Sequence, residues 1–212
     1  MTNPEAEAAC PRPLRRDAEV NLRRILGAAR DVFAEAGFDA SMETIAARAD
    51  VGVGTLYRRF PHKADLFNAV VEDARARTRQ IADEVLSDVP AGDAVFEFVR
   101  RCVAVPGCWR ATITAPPWSS GARAALERIA PLLDEILTRS QDAGTVRRDA
   151  AVTDIVVVLM AVRSVADLCD ARVPDSSARF LELALDGLRP DHRALSPGPI
   201  SLDALGSIFG DD

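Results

Sequence analysis

Apolar residues recur at helical spacing along most of the chain, and no stretch alternates apolar and polar residues as a half-buried strand does. The first helical pattern begins at Asp17, steps by three and four residues, and stops before Gly37, a residue type that commonly ends helices. Residues 1–16 contain three prolines and predict a flexible N-terminal arm. The patterning therefore predicts an all-α fold.

Two short helices follow the first one. Ser41 is a suitable N-cap for a helix whose apolar stripe starts at the next residue. A tight turn at residues 50–52 leads into a third helix from about Val53 to Phe60. Two short helices joined by a three-residue turn form a helix-turn-helix, so residues 17–62 are predicted to be a three-helix DNA-binding domain.

Residues 63–189 continue the helical pattern and predict a larger helical domain, followed by a C-terminal tail over residues 190–212. Pro131 lies inside one of its helices and should kink or split it. The last two helices, at about 150–171 and 175–188, are apolar on more than one side and must be covered on more than one side. Two interpretations stay open, a central core position and a self-association surface. The residues predicted to form a dimer interface are Val157, Met160, Phe180, Leu183 and Ala184.

Composition and charge narrow the class of partner. Hydrophobic residues make up 48% of the 212 residues and charged residues 27%, which suffices for a packed core. The net charge of −6 argues against a protein that coats nucleic acid with its whole surface. Residues 12–63, however, hold ten basic and seven acidic side chains, which is compatible with a small DNA-binding head on an acidic body.

The remaining chemistry is sparse. Four scattered cysteines without a C-x-x-C pair, and two histidines, argue against a zinc site and favour reduced thiols. A redox role for Cys102 and Cys108 stays open. The N-terminus lacks the apolar core of a signal peptide, and the longest apolar run, residues 155–162, is too short to span a membrane. We therefore expect a cytoplasmic protein without a membrane partner.

The stretch VGVGTLYRRFPHK, residues 51–63, allows two interpretations. A dinucleotide-binding loop needs a third glycine where Tyr57 stands, and a buried strand where the preceding pattern is helical. A recognition helix needs buried anchors on one side and small, polar and basic residues on the other. Leu56 and Phe60, four residues apart, supply the anchors. Lys63 follows at the start of the next helix, where its charge and the helix dipole suit a phosphate. The second interpretation is therefore preferred.

Three motifs then fall in sequence in the run ILGAARDVFAEAGFDASMETIAARADVGVGTLYRRFPHKADLF. They are A-x-x-x-F-x-x-x-G-F, a capped I-A-x-x-A helix, and G-T-L-Y-x-x-F-x-x-K-x-x-L. On these motifs residues 17–70 resemble the DNA-binding domain of the tetracycline-repressor (TetR) family of bacterial regulators. Three residues depart from the family pattern: Asp50 replaces a glycine, Gly52 a serine or threonine cap, and Arg59 a histidine.

The resemblance implies a homodimer whose last two long helices pack as a four-helix bundle, with a ligand cavity inside each body. Residues 63–189 would then be a helical effector-binding and dimerisation domain. It also implies that Thr55, Tyr57 and Lys63 contact DNA, with help from Ser41 and Thr44. The full set of predicted DNA-binding residues is Ser41, Thr44, Val53, Gly54, Thr55, Tyr57, Arg58, Arg59 and Lys63.

We therefore expect a ligand-responsive transcriptional regulator, a repressor that binds a palindromic double-stranded DNA operator as a homodimer and is released by a small-molecule effector. The alternative is a helical small-molecule-binding protein without operator activity. Neither an enzyme nor a cofactor is expected, because no catalytic motif is present. The effector should be apolar or aromatic. Its predicted lining, for which plain core positions are the alternative, is Phe96, Phe98, Cys102, Trp109, Trp118, Leu133 and Met160.

Overall fold

A computed structural model describes residues 12–105, 122–191 and 193–208. Every regular element in these ranges is helical, as predicted. The chain divides into two compact units, with the boundary after Val70. The predicted boundary, between residues 62 and 63, lies at the start of the helix that contains the observed one.

The first unit contains helices α1 (Arg12–Ala36), α2 (Met42–Arg48), α3 (Val53–Arg59) and the beginning of α4 (Lys63–Asp88). A 3-10 turn, Gly37–Asp39, follows α1.

Helix α1 begins at Arg12, so the predicted start at Asp17 and the flexible arm over residues 12–16 are wrong. The physical reason is the position of Pro13, which lies in the first helical turn. There a missing N–H group leaves no hydrogen bond unmade and the fixed φ suits the helix. The part of the arm before Arg12 lies outside the described residues.

The core of the first unit joins α1 to the helix-turn-helix. Ile25, Ile45 and Leu56 are fully buried in it. The rings of Phe33 and Phe67 meet edge to face, with centroids 5.2 Å apart. On the surface, Arg48 donates two hydrogen bonds, of 2.7 and 2.9 Å, to the carboxylate of Glu35. These bonds lower the pKa of Glu35 and tie α2 to α1.

The second unit contains the rest of α4 and helices α5 (Ala94–Ala104), α6 (Ala122–Asp142), α7 (Val152–Val165), α8 (Ser176–Gly187) and α9 (Leu202–Ile208). A 3-10 turn, Ala91–Asp93, precedes α5, and a π-helical turn, Ala166–Asp170, extends α7. The members of its hydrophobic core include Ile81, Val85, Phe98, Val99, Leu133, Ile136, Ile155, Leu159, Leu185 and Leu205.

Pro131 lies inside α6, which continues through it as one helix. The predicted split is therefore wrong. A proline inside a helix removes one backbone hydrogen bond. The packing of Leu133, Ile136 and Leu137 into the core stabilises the turns of α6 that follow Pro131.

The C-terminal tail is tied to the turn before α7. The guanidinium of Arg147, 5% exposed, pairs with Asp149 at 2.5 Å and donates to the carbonyl oxygens of Gly187 and Arg193 at 3.2 and 2.6 Å. The N–H group of Leu195 donates to Asp149 at 2.9 Å. Further along, Leu205 of α9 is fully buried in the core. None of the helices in the described ranges combines the length and the apolar character that a membrane span needs.

Candidate nucleic-acid interface

The helix-turn-helix is shaped by local hydrogen bonds. The hydroxyl of Ser41 accepts a 3.1 Å hydrogen bond from the N–H group of Thr44, which confirms Ser41 as the N-cap of α2. Asp50 has a positive φ of 53°, a conformation that aspartate tolerates better than most residues. Its carboxylate pairs with Arg24 of α1 at 2.6 Å. Gly52 caps α3 without a side chain. The two departures from the family pattern in the turn are therefore accommodated.

Helix α3 has a buried side and an exposed side. Leu56 and Phe60 are buried, as predicted for its anchors. Val53 is 38% exposed and Tyr57 42% exposed, and Thr55 is half-buried. The exposed residues of α3 and the half-buried Thr55, together with the N-cap Ser41 and with Glu43 and Thr44 in the first turn of α2, form what we call the α2–α3 surface. Its members on α3 are Val53, Gly54, Thr55, Tyr57, Arg58 and Arg59.

This surface carries hydrogen-bond donors of the kind that bind phosphate. Within the described part of the chain, neither Arg58 nor Arg59 forms an ion pair with an acidic side chain, so both guanidinium groups are available to a ligand. Arginine is well suited to phosphate oxygens because its planar fork donates two parallel hydrogen bonds.

Two of the predicted DNA-binding side chains already have partners within the protein. The hydroxyl of Tyr57 donates to Glu43 Oε1 at 3.4 Å. The ammonium group of Lys63 donates to the carbonyl oxygen of Ala40 at 3.2 Å and lies 4.5 Å from the centre of the Phe38 ring. Lys63 is the first residue of α4, as predicted. Because an ammonium group has three N–H donors, the bond to Ala40 leaves donors for a phosphate.

The structure places nine predicted DNA-binding residues in one unit, eight of them on the α2–α3 surface and Lys63 at the start of α4. Contact with DNA stays a prediction for all of them. Glu43, which shares their surface, is a residue that the sequence analysis misses. The sequence signal that could have found it is its position between Ser41 and Thr44, on the first turn of the same helix.

Five of the predicted effector residues lie in or against the core of the second unit. Phe96, Phe98, Cys102 and Leu133 are buried there, and Met160 packs against them. Trp109 and Trp118 lie outside the described residues, as does Cys108. A separate surface cleft of about 380 Å³ touches Phe96, and no other described member of this set. Its other lining includes Glu97, Arg100, Arg101, Thr145 and Arg189.

The predicted dimer residues lie on α7 and α8, which pack against each other. Val157 is 36% and Leu183 60% exposed, while Met160, Phe180 and Ala184 are half-buried. Self-association through them stays a prediction. Among the described residues, no group of three or more histidine, cysteine, aspartate or glutamate side chains is arranged to hold a metal ion.

Two family models match the chain in its two parts. The model described as bacterial regulatory proteins, tetR family, matches residues 25–70. The model described as the C-terminal domain of SbtR-like transcriptional regulators matches residues 90–190. The first match covers the helix-turn-helix, and the second covers α5 to α8 of the second unit.

An HTH-type transcriptional regulator of Staphylococcus aureus (strain USA300) is 42% identical over 60 residues, which are 28% of this chain and 32% of the relative. The match thus spans about a third of the length of that curated relative. Two solved structures match far more completely. A TetR transcription regulatory protein from Mycobacterium vanbaalenii is 34% identical over 84% of this chain and 99% of the other, with a TM-score of 0.58. A TetR transcriptional regulator from Streptomyces coelicolor is 31% identical over 81% and 99%, with a TM-score of 0.61. The chain belongs to the TetR family of bacterial transcriptional regulators.

Proposed function

We propose that this regulator is a repressor that binds a pseudo-palindromic DNA operator as a homodimer and leaves it when a small-molecule effector binds. Its place of action is the cytoplasm, where bacterial DNA lies. The observation that carries the proposal is the two-sided character of α3. Leu56 and Phe60 are buried against the unit, and Tyr57, Arg58 and Arg59 are exposed on the opposite side.

The order of residues along α3 suits the major groove of DNA. Gly54, near the N-terminus of the helix, has no atom within 4 Å of where a Cβ would lie, so the backbone can approach base edges closely. Arg58 and Arg59, in the last turn, extend toward phosphates. Phosphate contacts of this kind supply affinity and position, while base contacts supply sequence preference.

Homodimer formation is supported by an apolar strip on the last two long helices. Val157 and Leu183 are both exposed to water in a single copy. Their burial against a second copy would stabilise the dimer through the hydrophobic effect. A two-fold dimer would present two α3 helices to successive major grooves. We expect the two half-sites to be centred about 34–36 Å apart, one turn of B-form DNA.

Effector binding is proposed for the core of the second unit. The core cluster that contains Phe98 and Leu133 is built of apolar side chains. An apolar or aromatic effector would therefore match it best. An effector that binds better to a dimer with wrongly spaced DNA-binding units would release the operator by population shift.

A gel shift tests the proposal against its alternative, a helical small-molecule-binding protein without operator activity. The probe is duplex DNA from upstream of the protein's own gene, and unlabelled probe and scrambled duplex serve as competitors. We expect a shift that the unlabelled probe removes and the scrambled duplex does not. Absence of a specific shift at every salt concentration would favour the alternative. A reporter gene placed behind the bound segment then separates repression from activation.

A further inference from the structure

Glu43 places a negative charge in the middle of the α2–α3 surface. The residue is exposed in the first turn of α2, between Ser41 and Thr44. Its Oε1 atom accepts the hydrogen bond from the Tyr57 hydroxyl on α3. The carboxylate therefore lies where the two helices of the helix-turn-helix meet at the surface proposed to face DNA.

Stability of α2 alone does not account for this placement. An acidic side chain in a first helical turn interacts favourably with the helix dipole, but it does so equally when it points away from the neighbouring helix. Ser41 already caps α2 through the N–H group of Thr44. Against the phosphates of DNA, moreover, a carboxylate is repelled. An acid on this surface therefore lowers affinity for DNA unless it meets a hydrogen-bond donor there.

The donors that a duplex offers in its major groove are few. An ionised carboxylate can only accept hydrogen bonds. The N4 amino group of cytosine and the N6 amino group of adenine are the two base donors in this groove. Adenine also presents the N7 acceptor next to its amino group, which repels a carboxylate, whereas cytosine presents no acceptor on its own edge. A carboxylate therefore selects cytosine.

We infer that Glu43 reads one base pair in each half-site by accepting a hydrogen bond from the N4 amino group of cytosine, while the Tyr57 hydroxyl orients its carboxylate. This inference rests on the proposed function, because it requires that the α2–α3 surface enters the major groove. Tyr57 is a positioning residue in this respect, since it acts on the base through Glu43.

The geometry allows Glu43 to hold both partners at once. The bond from Tyr57 is 3.4 Å long, whereas hydroxyl donors commonly lie at about 2.5–3.0 Å. A bond of this length is weak, so it leaves the carboxylate free to accept a further donor. The two oxygens of a carboxylate together offer about four acceptor positions, so those not used by Tyr57 remain for the base.

Selection from a random duplex library tests the inference. The wild-type chain should enrich duplexes with one cytosine-specific position in each half-site. Glu43→Ala should lose the preference at that position alone. On a fixed duplex, replacing this C·G pair by T·A should weaken wild-type binding about tenfold and leave Glu43→Ala nearly unaffected. Glu43→Gln, which is nearly isosteric, should move the preference toward adenine, because glutamine pairs with N6 and N7.

Two further variants complete the experiment. Tyr57→Phe keeps the ring but removes the hydroxyl, and it should reduce the cytosine preference at the same position. Glu19→Gln is the matched control, because Glu19 is an exposed acid on α1 that pairs with Arg23. It should leave every base preference unchanged. An unreduced cytosine preference in Tyr57→Phe would overturn the orienting role of the hydroxyl.

Two outcomes for the Glu43 variants would overturn the inference that Glu43 reads a base. If Glu43→Ala keeps all base preferences and binds every duplex more tightly, the carboxylate merely repels phosphates. If neither Glu43→Ala nor Glu43→Gln changes a preference, the residue does not read DNA. Failure of the proposed function itself would appear earlier, because the wild-type chain would then enrich no sequence from the library.

Discussion

Lys63, the only lysine of the chain, combines two roles at the level of a single residue. Its ammonium group lies over the Phe38 ring and donates to the carbonyl oxygen of Ala40, which fixes the start of α4 against the segment before α2. The same positive charge, at a helix N-terminus, suits a phosphate of the operator. Loss of the side chain should therefore affect folding and DNA binding in separable ways.

We predict that Lys63→Met weakens binding to all duplexes alike and makes the dependence of log K on log salt shallower by about one unit. Methionine keeps an apolar stem for the Phe38 ring, whereas Lys63→Ala removes both stem and charge. Fluorescence anisotropy at several salt concentrations measures the slope, and thermal melting reports folding. A change in base preference would contradict the assignment of Lys63 to a phosphate.

Residues whose conformation or burial is set by their neighbours in the sequence are the most predictable. Ser41 as a cap, Asp50 in a left-handed turn, and Leu56 with Phe60 as anchors all follow from spacing and side-chain chemistry within a few positions. The contact of Glu43 with Tyr57 does not follow, because it joins two helices and depends on how they cross. The roles in DNA binding rest on resemblance and stay predictions.

The helices also divide into those that nearby sequence predicts and those that depend on tertiary contacts. Helices α2 and α3 are predictable to within a residue, since caps and a proline bound them. The start of α1 and the continuation of α6 through Pro131 are not predictable in this way. Pro13 is compatible with a first helical turn, and core packing stabilises α6 beyond Pro131. The attachment of the tail depends on Arg147, whose partners Gly187 and Arg193 lie 40 and 46 positions away in the sequence.

The turn before α7 should respond to acid through Asp149. The hydrogen bonds from Arg147, and then that from the Leu195 N–H group, hold the pKa of Asp149 well below its ordinary value of 3.8. A carboxylate whose pKa is lowered by folding stabilises the folded state above its unfolded pKa, and this contribution is lost as the pH falls toward the folded pKa. The contribution is therefore fully present at pH 7.

We predict that Asp149→Asn lowers the urea midpoint at pH 7, and that its difference from the wild type narrows as the pH falls below about 3.8. Asp142→Asn is the matched control. Asp142 pairs with Arg148 on the surface, where both side chains are mostly exposed, and such pairs contribute little. A difference between wild type and Asp149→Asn that stays constant down to about pH 3 would contradict the prediction.

At the scale of the whole molecule, the proposed homodimer depends on the exposed apolar strip formed by Val157 of α7 and Leu183 of α8. Burial of Leu183 and Val157 between two copies would remove the most exposed apolar side chains of the strip from water. A charge at either position would then have to be buried without a partner, which strongly disfavours association.

We predict that the double variant Val157→Glu and Leu183→Glu sediments near the chain mass of 22.8 kDa, while the wild type sediments near twice that mass. It should also lose most affinity for a palindromic operator, since one copy binds only one half-site. Val20→Glu, at an exposed apolar position on α1, is the control and should remain dimeric. A double variant that still dimerises would place the interface elsewhere.

The burial of Leu205 also bears on when each unit can complete its core during synthesis. The unit that ends at Val70 leaves the ribosome early and has all of its own buried residues by then. The core of the second unit lacks Leu205 until that residue has been synthesised, and at about 5–20 residues per second this takes roughly ten seconds more. During that interval the part of the core that Leu205 covers remains exposed. We therefore expect a chain truncated shortly before position 205 to keep the buried residues of its first unit and to have a less stable second unit.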